Sequence, residues 1–292
     1  MTASVVGFFD QHFSSILNGF ALGMLLFILA VGLSLIFGLL DVLNLAHGSL
    51  YLLGTYIGFQ LVERQGVAFI PAALIVLGGG LVLGLLLNGF LRPIRGRGHL
   101  DQVLLTLGLV FIAGDIVSIF WGTEAYGITP PKFLEASTPI WGHFFPKYRL
   151  AVMVVGVVLF VLLYVLFERT QLGAILRASV EDPAMVAALG INVRRVRLAV
   201  LVLGAALAAF AGVVGGPINY VTPGVGDYVL LLALIVVVIG GLGSITGAFV
   251  GAIIIGQVQD LGSDLLPETA SFALFGAMAI VLVVRPTGLF GR

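Results

Sequence analysis

Long stretches without a formal charge alternate along this chain with short clusters of charged residues. Residues 13–40, 65–91, 150–167, 198–226, 228–259 and 269–284 contain no Asp, Glu, Lys or Arg, and 102–121 contains only Asp115. A helix needs about 20 mostly apolar residues to cross a hydrocarbon core about 30 Å thick, and most of these runs qualify. The run 228–259 is too long for one ordinary crossing, and Gly240, Gly241 and Gly243 form its natural break. The segment 42–62 is apolar but punctuated by Asn44, His47, Ser49, Thr55 and Gln60. The pattern predicts an all-α fold: one polytopic transmembrane bundle over 1–292, with eight or nine membrane segments, some broken or re-entrant.

Composition agrees. Of the 292 residues, 60% are hydrophobic and 10% charged, with mean hydropathy +1.18; a soluble domain carries about a quarter charged residues. The zero net charge argues against nucleic acid, which requires a concentrated basic face. The absence of cysteine excludes disulfides and thiolate chemistry. The first dozen residues lack Lys and Arg, so no basic region of a cleavable signal peptide precedes the apolar run. Val5, Val6, Phe8, Phe9 and Phe13 read either as a short interfacial segment or as a frayed terminus.

Basic residues in short loops set orientation. Arg92, Arg95 and Arg97 share one loop, Arg169, Arg177, Arg194, Arg195 and Arg197 a second, and Arg285 and Arg292 end the chain. These predict cytoplasmic loops and a cytoplasmic C-terminus. The loop 122–148 reads as external, and so does the N-terminus. That arrangement needs an odd number of crossings, which favours nine and requires 42–62 to cross.

The cytoplasmic loop 168–197 contains a compact helix signature. Asp182 suits an N-cap, Pro183 the first helical position, and Gly190 the position past the end. The spacing predicts a helix of about two turns over Asp182–Gly190. So short a helix is marginal alone in water. Exposed Met185, Val186 and Leu189 suit insertion into a partner's groove, and the alternative is a helix lying on the bilayer or on its own bundle.

The stretch 32–58 (GLSLIFGLLDVLNLAHGSLYLLGTYIG) resembles the N-terminal segment of bacterial branched-chain amino acid permeases. The stretches 177–190 (RASVEDPAMVAALG) and 240–251 (GGLGSITGAFVG) resemble the same family. The likeness implies the permease subunit of an ABC importer in the bacterial inner membrane. It implies as partners a second homologous permease, two cytoplasmic ATP-binding subunits and a periplasmic solute-binding protein. It also implies that Glu181–Gly190, with Asp182, Pro183, Ala187 and Ala188, docks on an ATP-binding subunit. The solute is less well specified, since relatives carry urea or short amides. The chain itself has no phosphate-cradling G-x-x-x-x-G-K-[ST] motif; its two lysines, Lys132 and Lys147, both follow proline.

Polar side chains at membrane depth must face protein or a water-filled cavity. Asn44, His47 and Ser49, in a segment that also holds Asp41 and Thr55, are candidates for the translocation path, with interhelical hydrogen bonding as the plain alternative. His47 has no acid or second His at i+3 or i+4, which argues against a metal site. Asp115 lies a dozen residues into its span and suits the outer entrance or a helix cap; proton coupling would require a chain of ionisable partners. Gly243, Gly247 and Gly251 share one helix face, and Gly54/Gly58, Gly80/Gly84 and Gly212/Gly216 repeat the spacing that lets backbones approach closely. They suit packing within the bundle or against the second permease. The segment 215–227 reads as an outer turn. Glycine-punctuated segments near 38–58 and 240–256 hint at internal repetition without establishing it. No nucleophile–base pair or H-E-x-x-H appears, so neither an enzyme nor a cofactor is expected. A secondary transporter is the competing reading, with Asp115 and His47 its only intramembrane ionisable groups, and a structural subunit is the third.

Overall fold

The computed structural model describes the backbone of residues 2–40, 42–94, 96–265 and 267–291, and the side chains of these except 2–9, 270 and 271. Asp41, Arg95, Arg292 and the side chains of Val5, Val6, Phe8 and Phe9 therefore lie outside the described residues. The described residues form eleven α-helices: α1 Thr2–Leu40, α2 His47–Phe59, α3 Phe69–Leu91, α4 His99–Trp121, α5 Lys147–Glu168, α6 Gln171–Glu181, α7 Pro183–Ala188, α8 Val193–Gly215, α9 Val225–Gly240, α10 Ile245–Leu265 and α11 Ala270–Val284. A π-helical turn, Gln60–Arg64, prolongs α2. The protein is thus a helical membrane protein with one small exception. Strands β1 Ser137–Ile140 and β2 His143–Pro146 form an antiparallel hairpin, turned by Trp141 and Gly142, both at positive φ as a tight hairpin requires. Trp141 stacks on Phe13 at 5.8 Å and His143 Nε2 pairs with Asp10 Oδ1 at 3.0 Å, which pins the hairpin to the start of α1.

Among the described residues, six helices are long and apolar enough to cross a membrane: α1 from Asp10, α3 with its one-turn extension to Ile94, α4, α5, α8 and α10. The apolar helices α9 and α11 are shorter. The expected eight or nine segments are therefore not matched by helix length. The physical reason is that α2 and α9 begin inside the bundle. His47, the first residue of α2, bonds to the carbonyl of Leu29 partway along α1. Residues 42–46 return from the end of α1 in irregular conformation, and 217–224 do the same from the end of α8.

The packing is an inverted repeat. Helix α3 lies antiparallel on α8, with Gly80 against Ala206 and Gly84 against Val202; α10 lies antiparallel on α1, with Gly256 against Gly23 and Gly23 against Ala252. Helix α2 packs on α8 as α9 packs on α1, and α4 flanks α2 as α11 flanks α9. The units α1–α4 and α8–α11 are therefore equivalent, and their first helices cross at Gly32 and Gly204. Gly204 is the twelfth of the 23 residues of α8, so the crossing lies midway along α8, and Gly32 lies in the last quarter of α1. Small residues make this close packing possible where apolar lipid offers no hydrophobic drive. The repeat pairs 42–59 with 217–240, a different pairing from the one suggested by glycines near 38–58 and 240–256.

The long apolar run does break at its glycines. Gly241 and Gly243, both at positive φ, form the elbow between α9 and α10. The C-terminal segment folds back on it: the N–H groups of Leu289 and Phe290 donate to the carbonyls of Ile239 and Gly240, satisfying the end of α9.

Candidate functional site

His47 is wedged where α1 and α8 cross. Its ring lies against Gly32, where a methyl group would sit 3.2 Å from the imidazole and 2.8 Å from the Gly204 carbonyl oxygen. A carbonyl only accepts, so the 3.0 Å bond to Leu29 fixes Nε2 as donor. In the neutral ring Nδ1 then carries the lone pair, and it has no protein partner. The irregular segment before α2 is held by Thr106 of α4, whose buried hydroxyl accepts from Leu45 N–H at 3.2 Å and donates to Gln102 O at 2.8 Å. Thr106 was not singled out in the sequence; a lone threonine in an apolar helix gives no local signal that it anchors another segment.

The first turns of α2 and α9 meet head to head. Gly48 faces Gly226 and Leu230, while Gly226 faces Gly48 and Leu52, so the two turns overlap in antiparallel sense. A methyl on Gly48 would lie 2.5 Å from the carbonyl oxygen of Gly226, and one on Gly226 would lie 2.7 Å from that of Gly48. No side chain with a Cβ fits at either position.

Helix starts leave N–H groups without intrahelical acceptors. In α2 the N-cap is Ala46, with no side-chain cap, and Gly48 and Ser49 N–H have no acceptor among the described residues. Asn44 sits one turn below, its carbonyl receiving His47 N–H. Its side chain is 2% exposed, and neither Nδ2 nor Oδ1 has a protein partner. Buried amides are normally satisfied, so such an orphan requires an explanation. In the second repeat Val225 N–H donates to Thr222 O in the same way, which aligns Asn44, Gly48 and Ser49 with Thr222, Gly226 and Asp227. Helix α9 thus carries its own acid, Asp227, in its first turn, and α2 carries none.

The structure brings Asn44, His47 and Ser49 together, all buried. It does not bring Asp115 to them. Thr106, Ala113 and Val117 are the buried positions of α4, and Asp115 points the other way, exposed among Phe111, Ile112, Ile116 and Ile119.

In the loop between α5 and α8, Asp182 Oδ1 accepts Met185 N–H at 2.9 Å and Pro183 opens α7. Gly190, at φ +81°, ends it. Ile191 N–H donates to Val186 O and Gly190 N–H to Ala187 O, the paired bonds of a Schellman end. Of the three apolar residues expected at its surface, Met185 and Leu189 are exposed, but Val186 is 4% exposed: it is the residue that packs inward beneath the turn. Glu181, Asp182, Ala187 and Ala188 are exposed. Helix α7 is not isolated between spans, because α6 precedes it. Arg177 of α6 donates to Phe167 O at the end of α5 and pairs with Glu168, tying the loop to the bundle.

Gly247 packs on Gly240, and Gly251 on Val236 and Gly240, at the contact of α9 with α10. Gly243 lies in the elbow before α10 rather than on its face; its N–H donates to Ser34 of α1.

Comparisons with known proteins agree with this architecture. The chain is 28% identical to the Pseudomonas aeruginosa high-affinity branched-chain amino acid transport system permease protein BraD, over 97% of this chain and 96% of that one. It is 28% identical to the Escherichia coli permease protein LivH of the same description, over 100% and 98%. It is also 28% identical to the Escherichia coli permease protein LivM, over 92% of this chain and 68% of that one. No solved structure matches the chain. The family described as branched-chain amino acid transport system / permease component matches residues 15–284, and the chain belongs to it.

Proposed function

We infer that this chain is one of two permease subunits of an ATP-driven importer that moves branched-chain amino acids across the bacterial inner membrane. Its family membership supports transport. The observation that carries the ATP-driven reading is α7, a six-residue helix locked at both ends that presents Met185 and Leu189 outward from a loop clamped to α5. A rigid apolar knob of this kind suits docking in a groove on a cytoplasmic partner. ATP-binding subunits closing on each other push α7, and α6 passes the displacement to α5 and α1. A periplasmic binding protein delivers the solute to the outer face.

The orientation we assign puts the N-terminus and the hairpin outside, the α6–α7 loop and the C-terminus inside. Counted with α2, α9 and α11, the net number of crossings is nine. Asn44, His47 and Ser49 line the path. The face of α4 that carries Asp115 is covered by the second permease, since an acid among exposed Phe and Ile side chains is costly against lipid; likeness to both LivH and LivM supports such a pair.

The test is affinity purification of the tagged chain in mild detergent. ATP-binding subunits are expected to co-purify, and an Ala187→Glu, Ala188→Glu pair on exposed positions of α7 is expected to release them without lowering the amount of chain in the membrane. A chain that purifies alone and moves solute down an ion gradient in liposomes overturns the importer reading.

A further inference from the structure

We propose that the uncapped first turn of α2, with Asn44, is the binding site for the carboxylate of the transported solute. The inference rests on the importer reading above and adds the chemistry of one site within it.

Three independent observations converge. Among the described residues the N–H groups of Gly48 and Ser49 have no acceptor at the start of a 13-residue helix, where the backbone dipole places partial positive charge. The Asn44 side chain, one turn away and almost fully buried, has an unused donor and an unused acceptor. The inverted repeat supplies the third. At the matching sequence position α9 carries Asp227, which is exposed and caps nothing among the described residues, and α2 carries Ser49, which is buried and neutral, so α2 has no acid in its first turn. Broken helices whose N-termini meet at the centre of an inverted repeat are a general device for holding anionic solute groups at membrane depth.

The remaining orphan atoms extend the assignment. His47 Nδ1, an acceptor, and Asn44 Oδ1 suit the ammonium group of the same molecule. The donors Gly48 N–H, Ser49 N–H and Asn44 Nδ2 take its carboxylate. A zwitterionic α-amino acid therefore satisfies each of these groups, and its side chain is left to the apolar surroundings. The Gly48–Gly226 contact lets the two helix starts meet, since any side chain there would part them.

The experiment uses the purified complex of both permeases and both ATP-binding subunits, without the binding protein. Equilibrium binding of tritiated L-leucine is measured at millimolar concentration, with 4-methylpentanoate (carboxylate, no amine) and isopentylamine (amine, no carboxylate) as competitors. Leucine binding displaced by 4-methylpentanoate, and weakened at least tenfold in Asn44→Leu and in Asn44→Asp, is the expected result. The Asp variant is nearly isosteric, so its loss reads charge rather than shape. Ser49→Asp supplies an internal acid where Asp227 stands in α9; it is expected to raise the melting temperature of the complex while removing leucine binding, which a purely structural residue would not do. Displacement by isopentylamine alone, or leucine binding unchanged in both Asn44 variants, overturns the proposal. So does an absence of leucine binding in a complex that still takes up leucine when ATP and the binding protein are added. If uptake itself does not depend on ATP, the importer reading falls, and the binding data still decide the carboxylate site separately.

Discussion

Helices α7 and α2 both start after an irregular segment, and they treat their first N–H groups in opposite ways. At the surface, where water could serve as acceptor, α7 has Asp182 as cap, Pro183 behind it and a Schellman end. In the interior, α2 starts at Ala46 with no side-chain cap and, among the described residues, leaves donors open beside an orphan amide. Stability alone would put the cap in the opposite place, because an unsatisfied buried donor costs more than an exposed one. On the functions proposed above, the capped start belongs to an element that holds its shape against a partner, and the open start to one that receives a solute.

That contrast can be broken at several points. The largest effect is expected from Gly48→Val or Gly226→Val, which drive side-chain atoms into a facing backbone carbonyl. Overpacking of this kind costs about 1–3 kcal/mol or more; membrane levels and uptake should both collapse, whereas Gly224→Ala, with open space around it, should leave both unchanged. Next is Thr106→Val, which strands the buried N–H of Leu45 at a cost of about 1–3 kcal/mol; the melting temperature of the complex should fall. Removing the surface cap with Asp182→Ala should cost about 0.5–2 kcal/mol of local helix stability, read as faster amide exchange over 183–188 and weaker retention of ATP-binding subunits. Asp182→Asn should restore both, since Asn caps equally well. The smallest effect is expected for Gly190→Asn, because Asn tolerates the left-handed conformation. Exchange over α7 should stay within experimental error of the parent.

The surface helix was the more legible of the two. Asp182, Pro183 and Gly190 follow local rules that hold wherever the segment ends up. The break near Gly241 and the identity of the long apolar helices were visible for the same reason. Local rules do not reach burial: Val186 reads like Met185 and Leu189, and only packing shows that it faces inward. Helix α6 was hidden although Thr170 stands at its N-cap position, and in the fold that hydroxyl bonds back to Leu166 O instead of capping the helix. The pairing of Gly48 with Gly226 and the anchoring of Leu45 by Thr106 join distant parts of the chain, so no window of sequence contains them. Asp115 was singled out by its charge alone, and the fold sets it on the outer face of α4, away from Asn44 and His47.

The crossing of α1 and α8 at Gly32 and Gly204 also has a mechanical side. Two backbones in contact at glycines, Gly204 at the middle of α8 and Gly32 in the last quarter of α1, can serve as a fulcrum. If the repeats rock about it, as the proposed transport cycle requires, the ends of the helices sweep the longest arcs. Groups beside such a fulcrum would move least. His47 lies against that point, so on the proposed reading the atoms assigned to the solute would keep their spacing while access passes from one side of the membrane to the other.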